Sequence, residues 1–122
     1  MAQKRRRLSR SGEFDRVYRD GSSQATRHLV LYSFPRREDG EEGVRLGVSV
    51  SRKVGGAVAR NKVKRTLREA FWALSDRLPP EHDCVLVARP EIAGVIEREG
   101  VAGARASIEE ALDQLAGGER ST

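Results

Sequence analysis

An α/β sandwich, a small mixed sheet with helices packed on it, is the fold class this sequence predicts. Three observations carry it. "RHLVLYSF" and "VRLGVSVS" alternate at the period of a strand and are rich in β-formers. "DCVLVAR" is a short continuous apolar run, as in a central strand covered on both faces. Between the second and third of these lies a segment with helical periodicity, roughly 58–76, so the order contains a β-α-β unit. A chain of 122 residues fits one domain with one modest core.

The elements follow in order. Residues 1–10 read as a flexible basic arm, 11–116 as a single domain and 117–122 as a flexible tail. "SGEFDRVYRDG" reads as a short helix. Ser11 caps it, Glu13 and Asp15 sit in the first turn where the helix dipole favours acids, and Gly21 ends it. Phe14, Val17 and Tyr18 share one face of it. "SSQAT" is a candidate short edge strand, which makes the order α-β-β-β-α-β-α. In the next strand Val30, Tyr32 and Phe34 point one way, Leu29 and Leu31 the other. "PRREDGEEG" is a polar hairpin loop. Val44, Leu46, Val48 and Val50 face the core, with Arg45, Gly47, Ser49 and Ser51 opposite. Pro79 and Pro80 stop the long helix. Pro90 to Gly100 is ambiguous in pattern and reads as one helical turn. "ARASIEEALDQLAGG" is a last amphipathic helix, with Ile108, Ala111, Leu112 and Leu115 inward and Gly117 and Gly118 ending it.

Charge is segregated. The net charge is +5, but residues 1–10 carry +5 and 52–68 carry +7, while 11–51 carry −1 and 69–122 carry −6. Two cationic blocks on an acidic protein point to a polyanionic partner. The lone Cys84 excludes an intrachain disulfide and sits in an apolar run, so a buried reduced thiol is expected. No apolar run approaches membrane-spanning length and no signal core follows the basic N-terminus. The expectation is a cytoplasmic protein with no membrane partner and no small-molecule cofactor.

The basic helix is the most informative segment. On a helical wheel Val63, Leu67, Ala70, Phe71 and Leu74 form one stripe, and Arg60, Asn61, Lys64, Arg65 and Arg68 an adjacent one. Trp72 falls between Arg65 and Glu69, off the apolar stripe. Cation pairs at i, i+4, such as Arg60–Lys64 and Lys64–Arg68, cost a few tenths of a kcal/mol each, and cations near a helix N-terminus oppose the dipole. Docking of the apolar stripe must offset this, and phosphates would neutralise the patch. Gly55 and Gly56 let backbone N–H groups approach a phosphate closely.

These residues resemble a known family. "RKVGGAVARNKVKRTLREAF" is similar to the signature of the bacterial ribonuclease P protein component, through Arg60, Asn61, Lys64, Arg65 and Arg68. "RLSRSGEFDRVYRDG", "HLVLYSF", "VRLGVSVSRKVG" and "DCVLVARP" resemble its opening helix and strands, over about residues 5 to 90. The acidic C-terminal third departs from it by adding nothing basic. The resemblance implies a fold like that of the second domain of ribosomal protein S5. It also implies a left-handed crossover through the basic helix, although a right-handed one is found in about 98% of cases. It implies a subunit that joins a catalytic RNA, and a complex that removes the 5′ leader of precursor tRNA by Mg²⁺-dependent hydrolysis. The Mg²⁺ is then held mainly by the RNA, and the protein contributes no catalytic or metal-ligating residue. Lys53, Arg60, Asn61, Lys62, Lys64, Arg65 and Arg68 would meet the catalytic RNA. Phe14, Tyr18, Val30, Tyr32 and Ser49 would line a groove for the leader. Lys4, Arg5, Arg6, Arg7 and Arg10 would form an auxiliary basic arm.

The residues agree with a subunit lacking its own nuclease centre. Two-metal hydrolysis needs clustered carboxylates, whereas Asp39, Glu41 and Glu42 sit in a loop and the other acids are scattered. His28 and His82 lack an evident partner in the sequence. A general RNA-binding protein of ribosomal type would share the basic patch without needing the groove. A helix-turn-helix DNA binder is disfavoured because strands flank the basic helix.

Overall fold

The computed structural model describes residues 6–8, 11–35, 43–78 and 81–120. In chain order they form β1 (Arg6–Arg7), α1 (Ser11–Asp20), β2 (Ser22–Ala25), β3 (Leu29–Pro35), β4 (Arg45–Ser49), α2 (Ala57–Ala73), a single 3₁₀ turn (Ser75–Arg77), β5 (His82–Ala88) and α3 (Ile92–Arg120). One sheet holds all the strands in the order β1-β4-β5-β3-β2. Central β5 pairs antiparallel with β3 and parallel with β4, so α2 crosses over between adjacent parallel strands. The α/β class, the mixed sheet and the element order are as the sequence predicts.

Strand periodicity divides the sheet into two faces. Leu29, Leu31, Leu46, Val48, Cys84, Leu86 and Ala88 face α2 and α3, which add Val63, Leu67, Phe71, Ile92, Ile108 and Ala111 to one buried cluster. Each large side chain buried there stabilises the fold by roughly 1.5–3 kcal/mol. Val85, Val87, Tyr32 and Phe34 point the other way, where Leu8 and the Phe14 and Val17 side chains of α1 cover them. The helix α1 therefore adds a partial third layer to the two-layer frame, on the face opposite α2.

Registry puts specific residues side by side on the α1 face. Phe34, Asp83 and Arg45 form one row, Tyr32, Val85 and Gly47 the next, and Val30, Val87 and Ser49 the third. Phe14 lies directly on Gly47, where a Cβ would come within 2.4 Å of the Phe14 ring. Only glycine lets α1 approach this closely.

Three boundaries differ from the sequence reading. The expected free arm begins to fold at Arg6. Arg6 and Arg7 pair parallel with Arg45 and Leu46, and the Leu8 N–H donates to the Leu46 carbonyl at 3.0 Å. Leu8 is the lone large apolar side chain after a basic run, and it is buried. Lys4, Arg5, Arg10 and most of the polar loop lie outside the described residues. The segment 92–99 is fully helical, because Ile92, Val95 and Ile96 recur at i, i+3, i+4 and are buried. Gly100, at φ 62°, then kinks α3, a backbone angle that suits glycine. Beyond the kink α3 runs through Gly117 and Gly118 to Arg120.

Candidate nucleic-acid interface

The α2 helix docks by the stripe its spacing predicts, with Val63, Leu67, Ala70 and Phe71 buried. Its cations then face outward. Among the described residues none of Arg60, Lys62, Lys64, Arg65 and Arg68 makes an ion pair. Arg60 Nε is buried without a hydrogen-bond partner. Gly56 caps the start of the helix with no side-chain hydrogen bond, and the first turn holds no acid, so nothing local offsets the positive end of its dipole. Lys53 is exposed in the turn before it.

The structure separates these cations into two groups. Asn61, Lys64, Arg65 and Arg68 line a groove between α2 and the β1–β4 edge, together with Arg7, Leu46, Val58, Glu69 and Trp72. Arg60, Lys62 and Lys53 lie outside it. Trp72, unplaced by the wheel, is buried and set edge-on to Phe71 at 5.0 Å. Burial, reinforced by the nearby Arg7 charge, lowers the Arg68 guanidinium from its ordinary value. Sequence reasoning missed this groove because Arg7 was placed in a free arm.

Phe14, Tyr18, Val30, Tyr32 and Ser49 come together on the opposite face. Tyr18 meets Tyr32 edge-on at 5.0 Å and lies 6.4 Å from Phe14. Tyr18 is 39% exposed, so its ring forms an open wall. Its phenol is raised from the usual value, chiefly by burial; the hydrogen bond with Ser49 pulls the other way, while Tyr32 and Asp15 add to the rise. Val30, Val87 and Ser49, each half-buried, make the floor. Val87 was not legible as a cleft residue, because it sits in an unbroken apolar run.

A buried ion cluster holds α1 over this cleft. Asp83 is fully buried. Arg45 grips it with two bonds, Nε to Oδ1 and Nη2 to Oδ2, both 2.7 Å. Arg16 of α1 adds an Nη2 bond to Oδ2 at 3.1 Å, and its guanidinium lies over the Phe34 ring. Arg45 also bonds Glu13, again on α1. Two acids of α1 and β5 are thus committed to arginines, a donor set that does not fit a divalent metal. Among the described residues no three His, Cys, Asp or Glu cluster as metal ligands. His28 and His82 lie at opposite ends of the paired β3 and β5, too far apart to act together. Cys84, the chain's single cysteine, is buried. Among the described residues no helix is long and apolar enough to cross a membrane.

A helix whose cations make no ion pair among the described residues lies on one face and an aromatic cleft on the other, an arrangement that suits a polyanion. Comparison with known proteins gives the family. The ribonuclease P family model matches residues 2–115. The ribonuclease P protein component of Shouchella clausii is 45% identical over 86 residues, covering 70% of this chain and 69% of the relative. That of Listeria welshimeri is 37% identical over 92 residues, covering 75% and 76%. The solved RNase P protein of Staphylococcus aureus superposes with a TM-score of 0.77 at 32% identity, covering 92% of this chain and 96% of that one. The Thermotoga maritima protein gives 0.75 at 30% identity, covering 90% and 97%. The chain belongs to the ribonuclease P protein component family. Superposition at this level requires the same connection hand, so the crossover through α2 is that of the family fold.

Proposed function

We propose that this chain is the protein subunit of a ribonuclease P ribonucleoprotein, docking on the catalytic RNA through α2 and holding the 5′ leader of precursor tRNA in the aromatic cleft. The observation that carries the reading is the opposition of the two surfaces across one sheet. An unpaired cationic stripe faces one way, and a half-open wall of Tyr18 and Tyr32 faces the other.

The chemistry divides accordingly. Phosphate contacts from Lys53, Arg60, Lys62, Lys64, Arg65 and Arg68 supply salt-dependent affinity without reading sequence. Aromatic faces stack on single-stranded bases for roughly 1–3 kcal/mol each and tolerate any base, which suits leaders of varied sequence. The Val30–Val87–Ser49 floor gives the strand a shallow apolar bed. Hydrolysis of the phosphodiester is assigned to the RNA and its Mg²⁺, and this chain's part is to bind and orient the substrate.

The test is reconstitution. Purified protein alone should leave precursor tRNA intact in Mg²⁺, and adding a bacterial ribonuclease P RNA should give cleavage at the mature 5′ end. The protein's benefit should grow with leader length, and Phe14→Ala with Tyr32→Ala should remove that growth while RNA docking stays near normal. Cleavage by the contaminant-free protein alone would overturn the reading. A benefit independent of leader length would overturn the cleft assignment and leave a general RNA-binding subunit.

A further inference from the structure

The groove between α2 and the β1–β4 edge has a volume of about 790 Å³, within the range of ligand-sized pockets. Its lining is of two kinds. Leu46, Trp72 and Val58 are apolar; Arg7, Lys64, Arg65 and Arg68 are cationic, against the single acid Glu69. The geometry has a plain origin. Residues 58, 61, 65, 68 and 72 follow one another along a single helix face, so Trp72 ends the cationic stripe as well as joining the core at its edge. The pairing of Arg7 with Leu46 puts both on the sheet face that meets α2. Arg7 is close enough to Arg68 that its charge adds to the effect of burial in disfavouring the Arg68 charge.

A double helix would satisfy only half of this lining. It presents phosphates at its surface and keeps its bases stacked inside, leaving the apolar floor uncovered. An unstacked nucleotide matches both halves, with a flat apolar base and an adjoining anionic phosphate. Trp72 is buried but for the part that reaches the groove, and its edge-on contact with Phe71 fixes the ring before binding. From this we infer that the groove binds one unpaired nucleotide of the catalytic RNA, its base laid on exposed Val58 and against the accessible edge of Trp72, and its phosphate held by Arg7 and Arg68. The leader is not the occupant, because the aromatic cleft lies across the sheet on the α1 face. The inference rests on the docking reading above and sharpens it from a charged surface to a specific subsite.

Trp72 is the chain's single tryptophan, so its fluorescence reports on this groove alone. Titrating the full chain with a bacterial ribonuclease P RNA, without precursor tRNA, should quench that emission saturably. Trp72→Leu removes the ring and should weaken RNA binding about tenfold or more, with Trp72→Phe restoring most of the loss. Because Trp72 is buried, binding is compared below the melting temperature of each variant, which separates loss of the ring from loss of packing. Arg7→Gln combined with Arg68→Gln should weaken binding and abolish the quench while the melting temperature holds. If RNA binds with unchanged emission and Trp72→Leu binds as tightly as wild type, the subsite is wrong. The docking reading is judged separately, by whether Arg60, Lys64, Arg65 and Arg68 changed together to Ala weaken binding. Quenching by a single-stranded leader oligonucleotide alone, to the same extent, would overturn assignment of the site to the catalytic RNA.

Discussion

Replacing Asp83 by Asn is the sharpest probe of how the cleft is held. The change keeps the side chain's shape and removes its charge. Asp83 is fully buried and, among the described residues, accepts three arginine hydrogen bonds, two from Arg45 at 2.7 Å and one from Arg16 at 3.1 Å. An amide has one acceptor oxygen, so at least one guanidinium N–H then faces an NH₂ group. Removing one partner of a buried pair costs about 3–5 kcal/mol. The lower end applies here, because the Arg16 side chain is 40% exposed and rehydrates, and Arg45 keeps Glu13. At about 3 kcal/mol, and about 3–6 °C per kcal/mol for a chain of this size, the melting temperature should fall by about 9–18 °C. Thermal unfolding of the full chain by circular dichroism reads this directly. Amide hydrogen exchange should show the loss concentrated in α1, since Arg16 and Glu13 tie that helix to the sheet. An Asp83→Asn protein melting within about 3 °C of wild type, with α1 equally protected, would refute the reasoning.

Other outcomes follow from single features. Changing Arg60, Lys64, Arg65 and Arg68 to Ala should flatten the salt dependence of RNA binding by about 0.7–0.9 log units of slope per lost phosphate contact, and an unchanged slope would mean a merely solvated face. Gly47→Ala pushes a methyl group into the Phe14 ring and should destabilise by about 1–3 kcal/mol in chemical denaturation, with Phe14→Leu in the same chain recovering part of the loss. Tyr18 should ionise above the usual tyrosine value in an absorbance titration. Its neutral form is favoured by folding, so that contribution to stability is full below about pH 10 and declines as pH rises through the folded value.

Much of the fold was legible because period alone places it. The alternation in "HLVLYSF" separates Leu29 and Leu31 from Val30, Tyr32 and Phe34, and the sheet buries them on opposite faces as that alternation requires. The apolar stripe of α2 was equally plain. What failed to show was tertiary in origin. Arg7 reads as arm until its pairing with Leu46 puts it beside Arg68. Trp72 breaks the helical pattern because it serves a groove wall and the core edge together. Ile92, Val95 and Ile96 were obscured by Pro90, Gly94 and Gly100, which punctuate a helix that packing nevertheless holds. Asp83 reads as the polar start of a strand, and nothing local announces two arginines arriving from α1 and β4.

The position of Asp83 also bears on strand register. In β5 both faces are apolar, with Cys84 and Leu86 toward α2 and α3, and Val85 and Val87 toward α1. Hydrophobic pattern therefore distinguishes the correct register from a one-residue slip only weakly, although such a slip turns every side chain to the other face. A slip would carry Asp83 into the cluster packed on α2 and α3, away from Arg45 and Arg16. A buried charge without partners there is costly enough to exclude that pairing. By this hypothesis the ion cluster specifies register as well as anchoring α1, a use that buried charges serve in some folds. Asp83→Val combined with Arg45→Met and Arg16→Met tests it apart from stability, since replacing a whole buried ion cluster by apolar residues is often tolerated, whereas removing Asp83 alone leaves the arginines unpaired. Its amide spectrum should show more than one environment for β5 residues, where wild type shows one. A single set of cross-strand contacts matching Leu31↔Leu86 and Leu46↔Cys84 in that variant would place the register instruction elsewhere, in the loops and the packing of α2.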